Sequence, residues 1–252
     1  MLCQQPLVHG LSCAIVLAAL LLLLRQRRAG ARYGRYVDPG LRRTCPARVA
    51  WFAQELPALL VPLLLLWSSA SPPSSAGTTL LLCTFCLHYF HRTFIYALLT
   101  RGRPCPVHIV VCSVIFCSIN GFLQGHYLLH CAHFQHTWLT NFRIAAGLLL
   151  FYLGMAINIH SDVILRNLRR PGEVVYRIPR GGMFEYVSGA NLFGEILEWL
   201  GYAVATWSLA SFSFTFFTMC SIGPRAYHHH RDYLHKFKDY PRSRKAVIPF
   251  LL

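Results

Sequence analysis

VAWFAQELPALLVPLLLLW, Val49 to Trp67, is an apolar run long enough to cross a bilayer as a helix, and it holds a single acid, Glu55. A charge at that depth costs about 2–4 kcal/mol, so such residues face a protein interior and mark function. The bland alternative puts Glu55 near the membrane surface, because Arg48 lies only two helical turns away. The rest of the chain has to decide between them.

Of the 252 residues, 55% are hydrophobic and 13% charged. A soluble domain carries about 25% charged residues, so this composition excludes one and points to an integral membrane protein. Reading outward in windows of about 20 apolar residues predicts spans at 6–24, 49–67, 78–99, 106–130, 143–165, 187–206 and 209–226. None alternates with a period of two, so each reads as helix. The cations test that count. Arg25, Arg27, Arg28, Arg32, Arg35, Arg42, Arg43 and Arg48 follow the first span, and Arg101 and Arg103 follow the third. Five more follow the fifth span, and seven lie between Arg225 and Lys245. Nearly all of the 24 cations thus fall on every second loop, while SSASPPSSAG and the turn near Ser208 have none. The positive-inside rule then sets the N-terminus in the lumen and the C-terminus in the cytosol. The expected fold is all-α and membrane-embedded: one seven-transmembrane-helix bundle, a single domain over 1–252.

The first span is expected to stay as an anchor, since no basic region precedes it and its charges follow it. Most of the ten cysteines lie inside spans as small apolar residues. Cys83 and Cys86 form a CxxC, but on a membrane helix without a second ligand pair, so packing is expected there. Cys3 and Cys131 both fall on the lumenal side, where a disulfide is compatible with the redox compartment.

Polar residues recur inside the spans at helical spacing: His88 and Arg92 beside Tyr89, Asn120 with Gln124, Asn158 with Asp162, and Asn191 with Glu195 and Glu198. Lipid satisfies none of them, so they are expected to line a shared, partly hydrated cavity. The bland reading is interhelical glue, worth about 0.6 kcal/mol per contact. With three carboxylates among them, a buried polar site explains the set better. Its cytosolic mouth carries the arginines, which suits an anionic, phosphorylated cofactor. Topology and anionic lipid account for the first cluster, Arg25 to Arg43. They account less well for RRPGEVVYRIPRGG and PRAYHHHRDYLHKFKDYPRSRK, where Tyr, Glu, Asp, Gly and Pro interleave with the cations. Neither GxGxxG nor GxxxxGK[ST] occurs, and HExxH is absent. The His228–His230 run has no partner cysteines, so no metal site is expected.

These residues carry a resemblance. WFAQELP (51–57), HYFHRTF (88–94), RGRP (101–104), NGFLQG (120–125) and GMAINIHSD (154–162) resemble the steroid 5α-reductase family. So do the stretches from Leu168 to Ala205, RAYHHHRDYL (225–234) and YPRSRKAVIPF (240–250). Together they cover about four-fifths of the chain in order. The first 48 residues match only as an anchor and a basic segment around Tyr33 to Arg35.

The resemblance implies an endoplasmic reticulum enzyme that uses NADPH to reduce the 4,5 double bond of 3-oxo-Δ4 steroids, testosterone giving 5α-dihydrotestosterone. The N-terminal half would form mainly the steroid pocket, and residues 100–252 mainly the NADPH site. Glu55 and Tyr89 match the family's catalytic pair at the 3-oxo group. Arg103, Asn158, Asp162, Arg169, Arg177, Asn191, Glu195, His229 and Tyr233 match its NADPH-binding residues, with Arg101, Tyr176 and Arg225 as weaker members. The steroid, entering from lipid, would be lined by Trp51, Trp199, Phe212 and Phe216. No nucleic acid, metal or obligate protein partner is implied. Thr100, His126 and Pro224 depart from the family pattern.

The chemistry is coherent without the name. Hydride addition at carbon 5 of an enone pushes charge onto the 3-oxygen, and a Tyr hydroxyl with a protonated, buried carboxyl would stabilise it. Two other classes share features with this chain. A related membrane enoyl-thioester or sterol reductase would share the C-terminal half. A seven-helix receptor would share the span count, but DRY and NPxxY are missing.

Overall fold

The computed structural model describes residues 2–28, 43–69, 73, 75–134, 142–168 and 177–251. The helices are α1 (Gln5–Arg28), α2 (Ala47–Ser68) and α3 (Ala76–Phe90), the last running on through a π-helical turn (His91–Tyr96) into α4 (Ala97–Leu99). Then come α5 (Val107–His126) with a second π-turn (Tyr127–Cys131), α6 (Phe142–Asn167), α7 (Ala190–Thr206) and α8 (Leu209–Lys236). Every apolar segment predicted above coincides with one of them.

Among the described residues, four helices are long and apolar enough to cross a membrane: Gln5–Arg27, Ala47–Ser68, Val107–Cys131 and Phe142–Asn167. The others fall short for physical reasons. The segment from α3 to α4 carries His88, His91 and Arg92, α7 has 17 residues and carries Glu195 and Glu198, and α8 dilutes its phenylalanines with Ser and Thr. Two boundaries also shift. The predicted span from 187 begins as helix at Ala190, because Val187 bridges to Lys245 instead. The predicted end at 226 runs on to Lys236.

The described chain divides into two compact units. The first draws on Met1–Ala14, Arg32–Ala145 and Thr206–Ser211, and the second on Ile15–Ala31, Ala146–Ala205 and Phe212–Leu252.

In the first unit α2 carries Pro57 and Pro62 inside the helix. Each removes a backbone donor and frees a carbonyl, which membrane helices tolerate when neighbours compensate. Gly121 and Gly125 of α5 meet those prolines. A Cβ at Gly121 would lie 3.0 Å from Ala58 Cα, and one at Gly125 3.0 Å from Pro62 Cα. Glycine thus permits the close approach of α5 to α2. A two-residue antiparallel pair, β1 (Thr44–Cys45) with β2 (Cys105–Pro106), ties together the starts of the same two helices. At the other end Cys3 is disulfide-bonded to Cys131, and Gln4 N donates to His126 Nε2 at 3.3 Å. The pairing compatible with the sequence is therefore present.

In the second unit α6 and α7 run antiparallel along a glycine seam. A Cβ at Gly147 would lie 2.5 Å from Ala205 N, and one at Gly194 2.5 Å from Asn158 N. Gly154 faces Glu198 and Gly201 faces Phe151 in the same way. Beside the seam Trp199 packs against Phe151, Tyr202 and Phe214 as an aromatic core. The end of α1 joins α8, with Gln26 Nε2 donating to Ser221 O at 3.1 Å.

Candidate active site

Glu55 stands one turn after Trp51 on α2, so both share a helix face. Its carboxylate Oε1 lies 3.6 Å from an Arg92 terminal nitrogen, and both side chains are buried, at 13% and 6% exposed. The Arg92 guanidinium sits 4.1 Å above the Tyr96 ring and 5.0 Å from that of Trp51, which itself meets Tyr96 edge-on at 5.1 Å. Cation–π contacts of a desolvated guanidinium are worth about 2 kcal/mol, and together with Glu55 they compensate a buried charge. Arg92 and Tyr96 belong to the π-turn, where Ala97 N reaches back to Arg92 O. Such wide turns are concentrated at functional sites. Glu55 is therefore largely shielded from solvent and packed against a buried cation.

Tyr89 is 3% exposed, between Phe85 and His88. Its hydroxyl oxygen accepts a hydrogen bond from Asn120 Nδ2 at 3.2 Å. Arg103 is half-buried just ahead of β2, and Arg101 is exposed.

In the second unit the glycine seam ends in polar residues. Asn158 Nδ2 donates to Asn191 O at 2.9 Å, and Asn191 Nδ2 donates to Asp162 Oδ1 at 3.2 Å. Glu195 follows Asn191 one turn along α7 and is half-buried. On α8 Arg225, His229 and Tyr233 are spaced by four and share a face. Tyr233 is buried and stacks parallel on Tyr240 at 5.1 Å. Arg177 donates to Leu168 O at 2.6 Å. The expected cofactor residues Arg169 and Tyr176 lie outside the described residues. Of the aromatics expected at a steroid, Trp51 is half-buried beside Arg92, Phe212 and Phe216 are each 38% exposed, and Trp199 is fully buried in the aromatic core. The amides and carboxylates of α6 and α7 suit sugar hydroxyls and a carboxamide, and the arginines suit phosphates.

A second polar group follows the 3-10 turn Gly182–Glu185. Arg244, 1% exposed, donates to Pro179 O at 2.8 Å and to Glu185 Oε2 at 3.1 Å. Glu185 Oε1 accepts the Gly181 N–H at 2.5 Å. That backbone hydrogen bond, with Arg244 added, holds the Glu185 carboxyl below the usual range. Gly181 and Gly182 have φ of +90° and +54°, conformations that favour glycine. Ser188 Oγ lies 2.6 Å from both His230 Nδ1 and the Tyr240 hydroxyl, and donates to Lys245 O at 3.2 Å. Burial, then the Lys245 charge, pushes the His230 ring down; burial pushes the Tyr240 phenol up against Ser188 and Arg244.

Sequence reasoning placed Arg92, Asn120 and Gln124 on polar stripes without assigning them partners. Their spacing was the available signal. Glu185, Ser188 and Arg244 were not singled out, since no periodicity marks a loop.

Comparison with known proteins follows the same line. The family model described as 3-oxo-5-alpha-steroid 4-dehydrogenase matches residues 103–252. The chain is 53% identical over 252 residues to 3-oxo-5-alpha-steroid 4-dehydrogenase 2 of Sus scrofa, across 99% of this chain and 98% of that protein. It is 52% identical to the Homo sapiens protein of the same description, with the same coverage. To 3-oxo-5-alpha-steroid 4-dehydrogenase 1 of Homo sapiens it is 49% identical over 243 residues, across 96% and 93% of the two chains.

Proposed function

The chain belongs to the 3-oxo-5-alpha-steroid 4-dehydrogenase family, and from that premise we propose that it reduces the 4,5 double bond of 3-oxo-Δ4 steroids with NADPH, converting testosterone to 5α-dihydrotestosterone. The observation that carries this reading is the presence of a hydroxyl and a carboxyl largely shielded from solvent in the first unit. Tyr89 offers a hydroxyl and Glu55 a carboxyl whose Oε1 is already engaged by Arg92.

NADPH supplies the hydride that adds at carbon 5. As it adds, the 4,5 π-electrons move toward the 3-oxygen, and the Tyr89 hydroxyl and the Glu55 carboxyl hold the enolate that develops there. In this role Glu55 acts as the neutral acid, taking a proton on Oε2 against the Arg92 charge that lies 3.6 Å from Oε1. Carbon 4 then takes a proton, and collapse of the enolate restores the ketone. The aromatic rings of Trp51 and Tyr96 pack around Arg92 next to the Glu55 carboxyl.

The cofactor reading rests on donor chemistry. Asn158, Asp162, Asn191 and Glu195 would hold the ribose and nicotinamide amide, and Arg177 and Arg225 would take phosphate oxygens, with His229 and Tyr233 on the same helix face as Arg225. Arg103, Arg169 and Tyr176 complete the set by their match to the family pattern.

The membrane reading has seven spans in the endoplasmic reticulum, with a lumenal N-terminus and a cytosolic C-terminus. The cation distribution supports it. So does the Cys3–Cys131 bond, since a disulfide suits the oxidising lumenal side. The steroid reaches its site from lipid, and no protein partner is required.

Steroid product analysis tests the reading. Membranes of cells without background activity are given testosterone and NADPH, with Glu55→Gln alongside. NADPH-dependent 5α-dihydrotestosterone, lost in the variant, is the expected result. Absence of product from folded wild-type protein would overturn it and direct the search to enoyl thioesters.

A further inference from the structure

Asn120 and Gln124 occupy successive turns of one face of α5, at 0% and 1% exposure. Amides so buried in an apolar helix persist only when their groups are satisfied. They form a chain with a definite direction. Gln124 Nε2 donates to Ala210 O at 2.9 Å and to Asn120 Oδ1 at 3.2 Å, and Asn120 Nδ2 donates to the Tyr89 hydroxyl oxygen at 3.2 Å.

The direction follows from the first link. A backbone carbonyl only accepts, so Gln124 must turn its NH2 toward Ala210. The same NH2 reaches Asn120, which must present its oxygen there and its own NH2 to Tyr89. An amide orientation that is otherwise ambiguous is thereby determined. Ala210 is itself held in the first turn of α8 by a hydroxyl cluster. Ser211 N donates to Ser208 Oγ at 3.2 Å, and Thr206 Oγ1 donates to Ser211 Oγ at 2.5 Å. The glycines beside the two amides, Gly121 and Gly125, seat this part of α5 against α2.

We propose that Asn120 and Gln124 are positioning residues that aim the Tyr89 hydroxyl proton at the substrate's 3-oxo group; this rests on the role of Tyr89 proposed above. An oxygen that accepts from Asn120 directs its own proton away from Asn120. Accepting an N–H also polarises the O–H bond, so Tyr89 donates more strongly as enolate charge develops. Reversing the Asn120 amide would point a carbonyl at Tyr89 and draw its proton away from the steroid. The Ala210–Gln124 link prevents that reversal.

A double-mutant cycle separates positioning from glue. The full chain in membranes is compared as wild type, Asn120→Asp, Tyr89→Phe and the double variant, measuring kcat and the KM for testosterone and NADPH with labelled steroid. Asn120→Asp is expected to lower kcat about 10-fold, less than loss of a direct donor, with the NADPH KM unchanged. In the Tyr89→Phe background the same change should cost less than about twofold, because no proton remains to be aimed. Without turnover, the C3=O stretch of bound 13C-labelled testosterone should shift less toward low frequency in Asn120→Asp than in wild type. Gln124→Met, close in volume, replaces Asn120→Asp if that variant does not accumulate, and the same non-additivity is expected. Equal losses in both backgrounds, or an unchanged carbonyl stretch, would sink the positioning role while wild-type activity keeps Tyr89 as donor. A folded wild type that forms no 5α-reduced steroid would sink the reading of Tyr89, and this inference with it.

Discussion

The two units bring helices together by one device and load the seams with different chemistry. In the first, glycines of α5 fit against prolines of α2, where a Cβ would stand at a tight 3.0 Å. In the second, glycines face backbone on both α6 and α7, and a Cβ would stand 2.5 Å from a peptide nitrogen at Gly147 and Gly194. Beside the looser seam lie fully buried amides and a buried ion pair, Glu55 with Arg92. At the end of the tighter seam lie the half-buried Asp162, Asn191 and Glu195. In the second unit Asn158 reaches Asn191 across the glycine seam, whereas in the first the α5 amides reach α3 and α8 rather than α2. The comparison teaches that the glycine seam itself is crossed by polar contacts in one unit and only seats the helix that bears them in the other. What the polar groups do follows from their burial.

The largest effects should come from the seams themselves. Gly194→Ala pushes a Cβ into the Asn158 backbone, which cannot rotate away, and should destabilise by about 3 kcal/mol. Gly121→Ala meets Ala58 Cα at the edge of tolerable contact and should cost about 1 kcal/mol. Thermal unfolding of detergent-solubilised protein compares them. The reverse order would break the distinction between the seams.

Chemistry sharpens the contrast next. Glu55→Gln keeps a donor but a far less acidic one, so it should lower kcat about 100-fold and leave NADPH affinity intact. Asn191→Ala, which removes the Asp162 link, should instead raise the NADPH KM about 10-fold with a smaller change in kcat. Steady-state kinetics on both decide the matter. If Glu55→Gln abolished NADPH binding, Glu55 would belong with the cofactor or with folding.

A smaller effect is expected at the loop before α7. Glu185→Gln leaves the buried Arg244 guanidinium without its carboxylate and loosens Gly181. The loop should open more readily, a charge-assisted hydrogen bond being worth more than a neutral one. Trypsin should also cut after the exposed Arg180 faster than in wild type. Unchanged cleavage would show that the ion pair does not hold the loop.

These contrasts also show what was readable beforehand. Helix positions were legible because apolar runs and cation-bearing loops report the bilayer directly. The Cys3–Cys131 bond was compatible with the same topology, since both cysteines fell on one side. Glu55 stood out as a charge in an apolar run, but Arg92 did not appear as its partner. The π-turn at His91–Tyr96 changes which residues share a face, and a helical wheel with a period of 3.6 cannot register that. Asn120 and Gln124 were visible as a stripe. The direction of their chain was not, because it depends on Ala210, 86 residues from Gln124. Trp199 read as a steroid-facing aromatic as readily as a core one, and it lies fully buried among Phe151, Tyr202 and Phe214. Glu185 and Arg244 lie 59 residues apart in segments without periodicity.

The smallest prediction concerns acid. His230 faces Ser188 and Tyr240, with the Lys245 charge nearby, and burial first and that charge second lower its affinity for a proton. If Ser188 donates to Lys245 O, its oxygen accepts from both Tyr240 and a neutral His230 bearing its proton on Nδ1. In the unfolded chain the ring takes up a proton near its ordinary value of 6.5. As pH falls below that value the unfolded state gains a proton that the folded state resists, so stability declines. Glu185 behaves differently. Its carboxyl is held below the ordinary 4.5, so its contribution is complete above that value and is lost only at lower pH. Between pH 6.5 and 5 the His230 part of the loss should therefore vanish in His230→Gln, while Glu185→Gln changes nothing in that window. Melting temperatures of the two variants against pH, in one detergent, separate the contributions. An acid limb that shifted only in Glu185→Gln would reassign the titration to the Arg244 pair.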